Sequence, residues 1–196
     1  MGAWYFFKVD KQFVIFYPTQ PITSIDIKRP RPSDFDNIAK LINQETGSSI
    51  SAETQNILLL SVAQAIKEGG PAHAVEFCNI AATPLTDSIS AIRHTQIHRL
   101  SDKNRNPDNA IRSEDDRDAW QRIQSGEEDF INQNHQGEVY YYKAIHTQLP
   151  ACLQCHGTET DISPETREAI AGKYPHDKAI GYLQGDLRGM WKIKLK

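Results

Sequence analysis

Residues 138–156 read Glu-Val-Tyr-Tyr-Tyr-Lys-Ala-Ile-His-Thr-Gln-Leu-Pro-Ala-Cys-Leu-Gln-Cys-His. The first part of this stretch, from Glu138 to Ile145, follows Gly137 and is rich in aromatic residues. Aromatic and β-branched residues favour strands, so we predict a strand here. The last part holds two of the three cysteines of the chain. One short stretch thus contains a predicted sheet strand and the residues with the most distinctive chemistry.

Helices are predicted in the residues before this strand. Ser51 is a good N-cap for a helix over roughly 52–68, and Gly69-Gly70 would end it. Pro71 suits the first turn of a second helix, because that turn needs no N–H from it. Pro84 is expected to end or bend the second helix.

Further elements follow the same kind of local signals. Two helix starts carry a serine before acidic residues or proline, and three more segments have strand character. They are a strand within 96–101, a helix from Ser113 through Ile123, a helix from Ser163-Pro164 to about Gly172, and final strands Ala179–Leu183 and Gly189–Leu195. Helices and strands in this order predict an α+β domain with an antiparallel sheet.

The N-terminal region differs from the rest. Residues 4–17 predict two short strands, as a hairpin or a poorly ordered arm, and residues 18–33 are proline-rich and typical of a linker. We therefore divide the chain into an arm and linker, 1–33, and a folded domain, 34–196. We do not interpret the start as a signal peptide, since Lys8, Asp10 and Lys11 interrupt its apolar run. An export segment either was removed upstream or never existed.

Composition narrows the class of protein. The 196 residues are 39% hydrophobic and 24% charged, with a formal net charge of -3, as in a soluble globular protein. No basic excess favours nucleic acid, and no polybasic block favours a membrane surface. No stretch approaches the roughly 20 apolar residues of a spanning helix.

Residues 152–156, Cys-Leu-Gln-Cys-His, form the pentapeptide that attaches c-type haem. Two thiols three positions apart can each add to a vinyl group of one porphyrin. The adjacent His156 can then supply an imidazole nitrogen to the iron. The pattern predicts one covalently bound haem c.

Two other interpretations of the cysteine pair remain open. A redox disulfide needs a thioredoxin-like strand-to-helix setting, and we expect none before Cys152. A zinc site needs a second pair of close ligands, which is missing.

The second axial ligand is less well defined by the residues. Haem iron commonly takes Met or His opposite the first His. Candidates are Cys78, Met190, His73, His94, His98, His135, His146 and His176. Cys78 is a lone thiol on a helix face of small and apolar residues. It could bind iron or be a small buried hydrophobe.

With these motifs, the chain resembles a bacterial c-type haem domain family, catalogued as a domain of unknown function, with cyanobacterial and sensor-kinase-linked members. The resemblance covers roughly residues 50–194 and rests on four groups of motifs. They are Val75–Ala82; His98–Ser101 with Arg105–Asn109; Tyr142–Ile145 with Cys152–Gly157; and Tyr174-Pro175, Asp177–Tyr182 and Gly185–Gly189.

The resemblance implies a PAS-like fold, in which helices flank a five-stranded antiparallel sheet and N-terminal helices pack over the haem. It implies axial ligation by His156 and by the thiolate of Cys78. It also implies an exported or membrane-anchored protein, and redox or gas sensing has been proposed for members.

Cationic residues near these motifs are candidates for the haem propionates, because planar guanidinium groups suit carboxylates. Arg99 and Arg105 are the principal candidates, with Lys103 and Arg188 of the same kind. Each could instead be a solvated surface charge or part of an internal ion pair.

The resulting functional hypothesis is a redox or diatomic-gas sensor that responds to CO or NO. The alternative is a periplasmic electron-transfer cytochrome. An enzyme would need an open iron position and nearby acid–base groups, so we expect no enzymatic activity. The expected partner is a redox or signalling protein, with any membrane contact made through a segment outside this chain.

Overall fold

A computed structural model describes residues 5–9, 12–16 and 31–195 of the chain. It divides into two compact units, Met1–Phe35 and Asp36–Lys196. In the first unit, strands β1 (Tyr5–Val9) and β2 (Gln12–Phe16) pair antiparallel, with Tyr5 opposite Phe16. This pairing agrees with the hairpin, one of the two alternatives for residues 4–17, while most of the predicted linker, 18–30, lies outside the described residues.

Helix α1 (Pro32–Arg93) dominates the second unit and differs from the prediction. Ser51 does not cap a helix start, because it lies inside α1 and donates its hydroxyl to the Ser48 carbonyl at 2.9 Å. The helical path breaks at Gly69 and at Gly70, whose φ of 77° favours glycine, and Pro71 follows directly, so the predicted break between two helices at Gly69-Gly70 is confirmed. Pro84 does not end the helix either. Long-range packing explains this, since Ile89 beyond Pro84 is buried in the core and holds the last turns in place.

The remaining helices confirm several predictions. Helix α2 (Glu114–Gln124) is capped by the Ser113 hydroxyl, and α4 (Pro164–Lys173) by that of Ser163. Between them, helix α3 (Pro150–His156) carries the cysteine pair. A single 3₁₀ turn covers Pro107–Asn109. No helix in the described ranges is long and apolar enough to cross a membrane.

The sheet of the second unit is antiparallel, which confirms the α+β class. Its strands, in the order β3-β6-β5-β4, are β3 (Ile97–Leu100), β6 (Leu187–Lys194), β5 (Val139–His146) and β4 (Asp129–Gln133). The described residues thus give this sheet four strands, where five were expected.

The number five came from the family resemblance, whereas local signals predicted four strands, of which one is absent and one observed strand was missed. Ala179–Leu183 is not a strand, because its backbone N–H groups bond to the end of α3 instead: Gly181 donates to Gly157 at 2.7 Å and Tyr182 to His156 at 3.0 Å. Conversely, β4 was missed because Asp-Phe-Ile-Asn-Gln is short and mostly polar. Its pairing with β5 supplies the order that its composition does not predict.

Side chains alternate between the two faces of the sheet, as strand geometry requires. On the face toward α1, which we call the α1 face, Tyr141, Ile145, Trp191 and other sheet residues pack with Ile50 and Ile89. On the opposite α2 face, sheet residues pack with three residues of α2. They are Leu100, Tyr140, Tyr142 and Met190, with Ala119, Trp120 and Ile123.

Candidate functional site

A cavity of about 310 Å³ lies on the α1 face of the second unit. It brings together Cys78 of α1 with Cys152, Cys155 and His156 of α3, residues far apart in the sequence. Much of its wall is apolar. The lining includes Leu58, Leu59, Val62, Ile66, Val75, Ala82, Ile97, Ile145 and Trp191.

Helix α3 presents the pentapeptide to this cavity. Pro150 occupies its first turn, and the helix ends at His156. Cys152 and Cys155, three positions apart, lie on the same side of a helix. Both are half-buried free thiols, and burial raises the pKa of Cys155 to about 11. The Cys155 thiol is 4.0 Å from the carbonyl oxygen of Pro71, just past the α1 kink.

One argument against a redox disulfide was wrong. Strand β5 ends at His146, and α3 begins at Pro150, so a strand does lead into the helix with the cysteine pair. The strand was predicted, but the helix was not, since seven residues without a side-chain cap give only a weak local signal.

The imidazole of His156 is held in one orientation. Its Nδ1 is 2.7 Å from the carbonyl oxygen of Ala179, and a carbonyl can only accept, so Nδ1 carries the proton. The Nε2 lone pair is therefore available to a ligand. Burial, and then the charges of Arg105 and Arg188, hold the pKa of His156 well below its ordinary value. The ring is neutral at neutral pH, as a metal-binding histidine must be.

Residues 177–182 support the end of α3. Gly181 and Tyr182 donate the two backbone bonds described above. In addition, the rings of His156 and Tyr182 form an edge contact, with their centroids 6.3 Å apart and their planes perpendicular. Gly157 permits the tight end of α3, since a Cβ there would lie 2.6 Å from the Leu153 carbonyl oxygen. The carbonyl of Ala179 is a site element that residue type could not reveal, because any residue carries one.

Cys78 reaches the cavity because of how α1 packs. Val75, one turn earlier, is buried against Ile162 and Ile170 of the α4 region. This contact turns Cys78 inward, while Ile80 stays 73% exposed. Burial raises the pKa of the Cys78 thiol, and the charges of Arg99 and Arg105 act against that rise.

The other candidate axial ligands separate by position. Met190 is fully buried on the α2 face, and His73, His94, His135 and His176 do not line the cavity. His146 lines it, but Nδ1 lies 3.0 Å from the Gly185 carbonyl oxygen and Nε2 3.2 Å from a Glu128 oxygen. His98 lines the cavity together with Cys78.

The three arginines of the cavity have different surroundings. Arg105 makes a two-pronged ion pair with Asp177, at 3.1 and 3.0 Å, and both side chains are nearly buried. Arg188 donates from Nη1 to the Ser101 hydroxyl and the Lys103 carbonyl, both at 3.1 Å, while its buried Nε has no partner among the described residues. The side chain of Arg99 has neither a hydrogen bond nor an ion pair within the part of the chain described.

Burial lowers the pKa of Arg99 and brings that of Arg188 down to about 10, and the positive charge of Arg99 contributes to the shift of Arg188. The cavity therefore contains two guanidinium groups, those of Arg99 and Arg188, that form no ion pair with a described carboxylate, although the charge of Asp177 partly opposes the shift of Arg188. Buried charge of this kind is costly unless an anion compensates it. Lys103, the fourth predicted cation, instead donates to the Ile180 carbonyl at 3.0 Å.

These features fit a haem. The cavity offers apolar walls, two thiols on one side of a helix, an imidazole whose Nδ1 carries the proton, a third thiol from α1 and guanidinium groups without a described ion pair. A porphyrin with vinyl groups, iron and two propionates would satisfy each of them.

Comparisons with known proteins agree with this description of the fold. No curated protein matches the chain. Among solved structures, the fold is similar to the crystal structure of the cyanobacterial heme-protein Tll0287. That similarity has a TM-score of 0.59 and 23% identity, and covers 85% of this chain and 96% of the other. Residues 32–195 match the sequence model of the Tll0287-like family, most of the chain. The resemblance found from the motifs is thereby confirmed, and the chain belongs to the Tll0287-like family.

Proposed function

We propose that this protein binds one haem c, attached covalently through Cys152 and Cys155, with His156 and Cys78 as axial ligands. The observation that carries the proposal is the cavity that places Cys78 of α1 with the three functional residues of the pentapeptide. The protein with the similar crystal structure is a heme-protein, which supports the same cofactor.

Attachment needs only the residues of α3. Each S–H bond would add across one vinyl double bond, with sulfur bonding to one carbon and hydrogen to the other. This addition consumes no oxidant or reductant. It requires free thiols, and both cysteines are unpaired.

The chain's own residues would then bind and orient the group. His156 is oriented by the Ala179 carbonyl, and Cys78 is held by the packing of Val75. Arg99 is the better candidate for a propionate, because its guanidinium has no partner among the described residues. Arg105 remains a second candidate, although Nε and Nη2 already have acceptors.

We propose a redox or diatomic-gas sensor as the physiological role. Bound haem iron would supply a site that changes oxidation state and can take CO or NO. Cys78 lies on the part of α1 beyond the Gly69–Gly70 break, so a change in its contacts could alter how that segment packs. This position favours sensing over simple electron transfer, which is the second candidate.

Several parts of the proposal concern the wider setting. Covalent haem implies an exported protein, in the periplasm or outside the cell. A redox or signalling protein would be the partner, with membrane contact only through a segment outside this chain. We expect no enzymatic activity and no nucleic-acid binding. The PAS-like relationship of the fold also stays a prediction.

Haem content is the first test. The chain is produced in an exporting host with c-type haem maturation and compared with a Cys152→Ser/Cys155→Ser variant. We expect a mass increase of one haem that survives denaturation in the wild type and is absent in the variant. A wild-type chain with an intact Cys152–Cys155 disulfide and no haem would support the redox-disulfide interpretation.

Axial ligation is the second test. Cys78→Ala should change the ferric absorption spectrum. His98→Ala should leave it unchanged, although His98 is a candidate ligand that also lines the cavity. The reverse pattern would assign the ligand to His98. CO added to reduced wild-type protein should shift the Soret band if the role is sensing. An unmoved band would favour electron transfer.

A further inference from the structure

The Arg105–Asp177 pair contacts the backbone groups that carry and orient the imidazole of His156. Arg105 Nη2 donates to the Cys155 carbonyl at 2.6 Å, which belongs to the residue before His156. The same nitrogen lies 3.4 Å from the carbonyl oxygen of Ala179, the acceptor of the His156 Nδ1 proton. One guanidinium thus contacts both the backbone that carries the ligand and the group that orients its ring.

Asp177 completes this arrangement. Its Oδ1 accepts from the backbone N–H of Ala179 at 2.9 Å and from Arg105 Nε at 3.1 Å, and its Oδ2 accepts from Arg105 Nη2 at 3.0 Å. The Arg105 and Asp177 side chains are only 10% and 7% exposed. Water therefore screens their charges weakly.

We propose that Arg105 and Asp177 are positioning residues that set the electron-donating strength of His156 and thereby the reduction potential of the haem. The inference rests on the proposed function. Arg105 draws electron density from the Ala179 carbonyl, which weakens that carbonyl as an acceptor for the Nδ1 proton. A weaker acceptor leaves the imidazole a weaker donor to iron. Asp177 limits this effect by neutralising the guanidinium.

The two residues therefore have opposite expected effects. Arg105→Gln removes a positive charge and leaves the negative charge of Asp177. This stabilises ferric iron and shifts the midpoint potential downward. Asp177→Asn leaves the positive charge of Arg105 unopposed and shifts the potential upward. A purely structural pair would not produce shifts of opposite sign, since either substitution breaks the same contact.

The test is spectroelectrochemical titration of haem-loaded wild-type, Arg105→Gln, Asp177→Asn and double-variant proteins. The double variant is expected near the wild-type potential, because it restores neutrality. Arg105→Lys keeps the positive charge, so its midpoint potential should lie close to that of the wild type. If Arg105→Gln alone misfolds, the midpoint potentials of Asp177→Asn and of the double variant can still be compared.

A matched control exists on the other side of the fold. Arg122 makes the same two-pronged contact with Glu127, at 2.9 and 2.6 Å, but at exposed positions. Arg122→Gln should leave the potential unchanged. Equal potentials in haem-loaded Arg105 and Asp177 variants, or shifts of the same sign, would overturn this inference alone. A wild-type chain that takes up no haem would overturn the proposed function together with it.

Discussion

The two faces of the four-stranded sheet differ in how completely they are packed. On the α2 face, aromatic residues close tightly against α2, and the Phe130 and Tyr142 rings stack with centroids 5.3 Å apart. On the α1 face, the core packs only along part of the sheet, and the rest opens into the cavity with Cys78 and His156. The α2 face contributes stability, while the α1 face gives up packing to make room for a ligand.

Arginine shows the same contrast within the cavity. Arg105 is paired with Asp177 and contacts the backbone that supports His156. Arg99 has no such partner among the described residues. A guanidinium that stays unpaired at a half-buried site indicates a place for an anion, whereas a paired one contributes to the protein's own structure.

The largest expected effect is a loss of stability when a buried isoleucine is shortened on either face of the sheet. Ile123→Ala on the α2 face and Ile145→Ala beside the cavity both remove nearly buried side chains, 4% and 5% exposed. Each should lower the free energy of unfolding by about 2 to 5 kcal/mol. Only Ile145→Ala should alter the absorption of bound haem. Urea unfolding and an optical spectrum check both statements, and a spectral change in Ile123→Ala would contradict the division between faces.

The next largest effect concerns the polar anchor of the α2 face. Lys192 Nζ lies 2.7 Å from an Asp116 oxygen, which also accepts from the Tyr142 hydroxyl at 3.3 Å. Asp116→Asn leaves the ammonium group uncompensated, so we expect a loss of about 1 to 3 kcal/mol in unfolding free energy. The exposed Asp118 on the same helix is the control, and Asp118→Asn should cost far less. Equal losses would mean that the pair contributes nothing specific.

A smaller effect of opposite sign is expected at the cavity. In haem-free protein, Arg99→Gln removes a half-buried cation whose side chain lacks a described partner. We expect the free energy of unfolding to rise by about 1 kcal/mol, since the cost of desolvating that charge disappears. Arg188→Gln, by contrast, breaks bonds to Ser101 and Lys103 and should destabilise. Thermal unfolding compares them, and destabilisation by Arg99→Gln would mean that its charge is satisfied.

The smallest effect lies at the edge of the α2 face and depends on pH. Hydrogen bonds from Lys194, Tyr140 and Asn134 lower the pKa of Glu138 from 4.5 to about 2. Because the folded protein favours the ionised carboxylate, this contribution is present above pH 4.5 and is lost as the pH falls toward 2. In Glu138→Gln, the melting temperature should depend less on pH over that range than in the wild type. Parallel acid profiles for wild type and variant would exclude the effect.

Local signals predicted much of the fold. The caps at Ser113 and Ser163, the aromatic strand β5 and the final strand β6 are confirmed, because each depends on neighbouring residues or on simple alternation. The absence of a helix start at Ser51 and of a helix end at Pro84 has a common cause. Tertiary packing along α1 continues a helix where local propensity would begin or end one.

The site divides in the same way. From the sequence alone come the pentapeptide, the attachment chemistry proposed for it and the ligand role proposed for His156, because these depend on the spacing of adjacent residues. Only the tertiary structure placed Cys78 in the same cavity, buried Met190 on the opposite face and paired Arg105 with Asp177 while leaving Arg99 free of described partners. These outcomes depend on contacts between distant segments, and spacing along the chain does not determine which of many chemically suitable residues will meet.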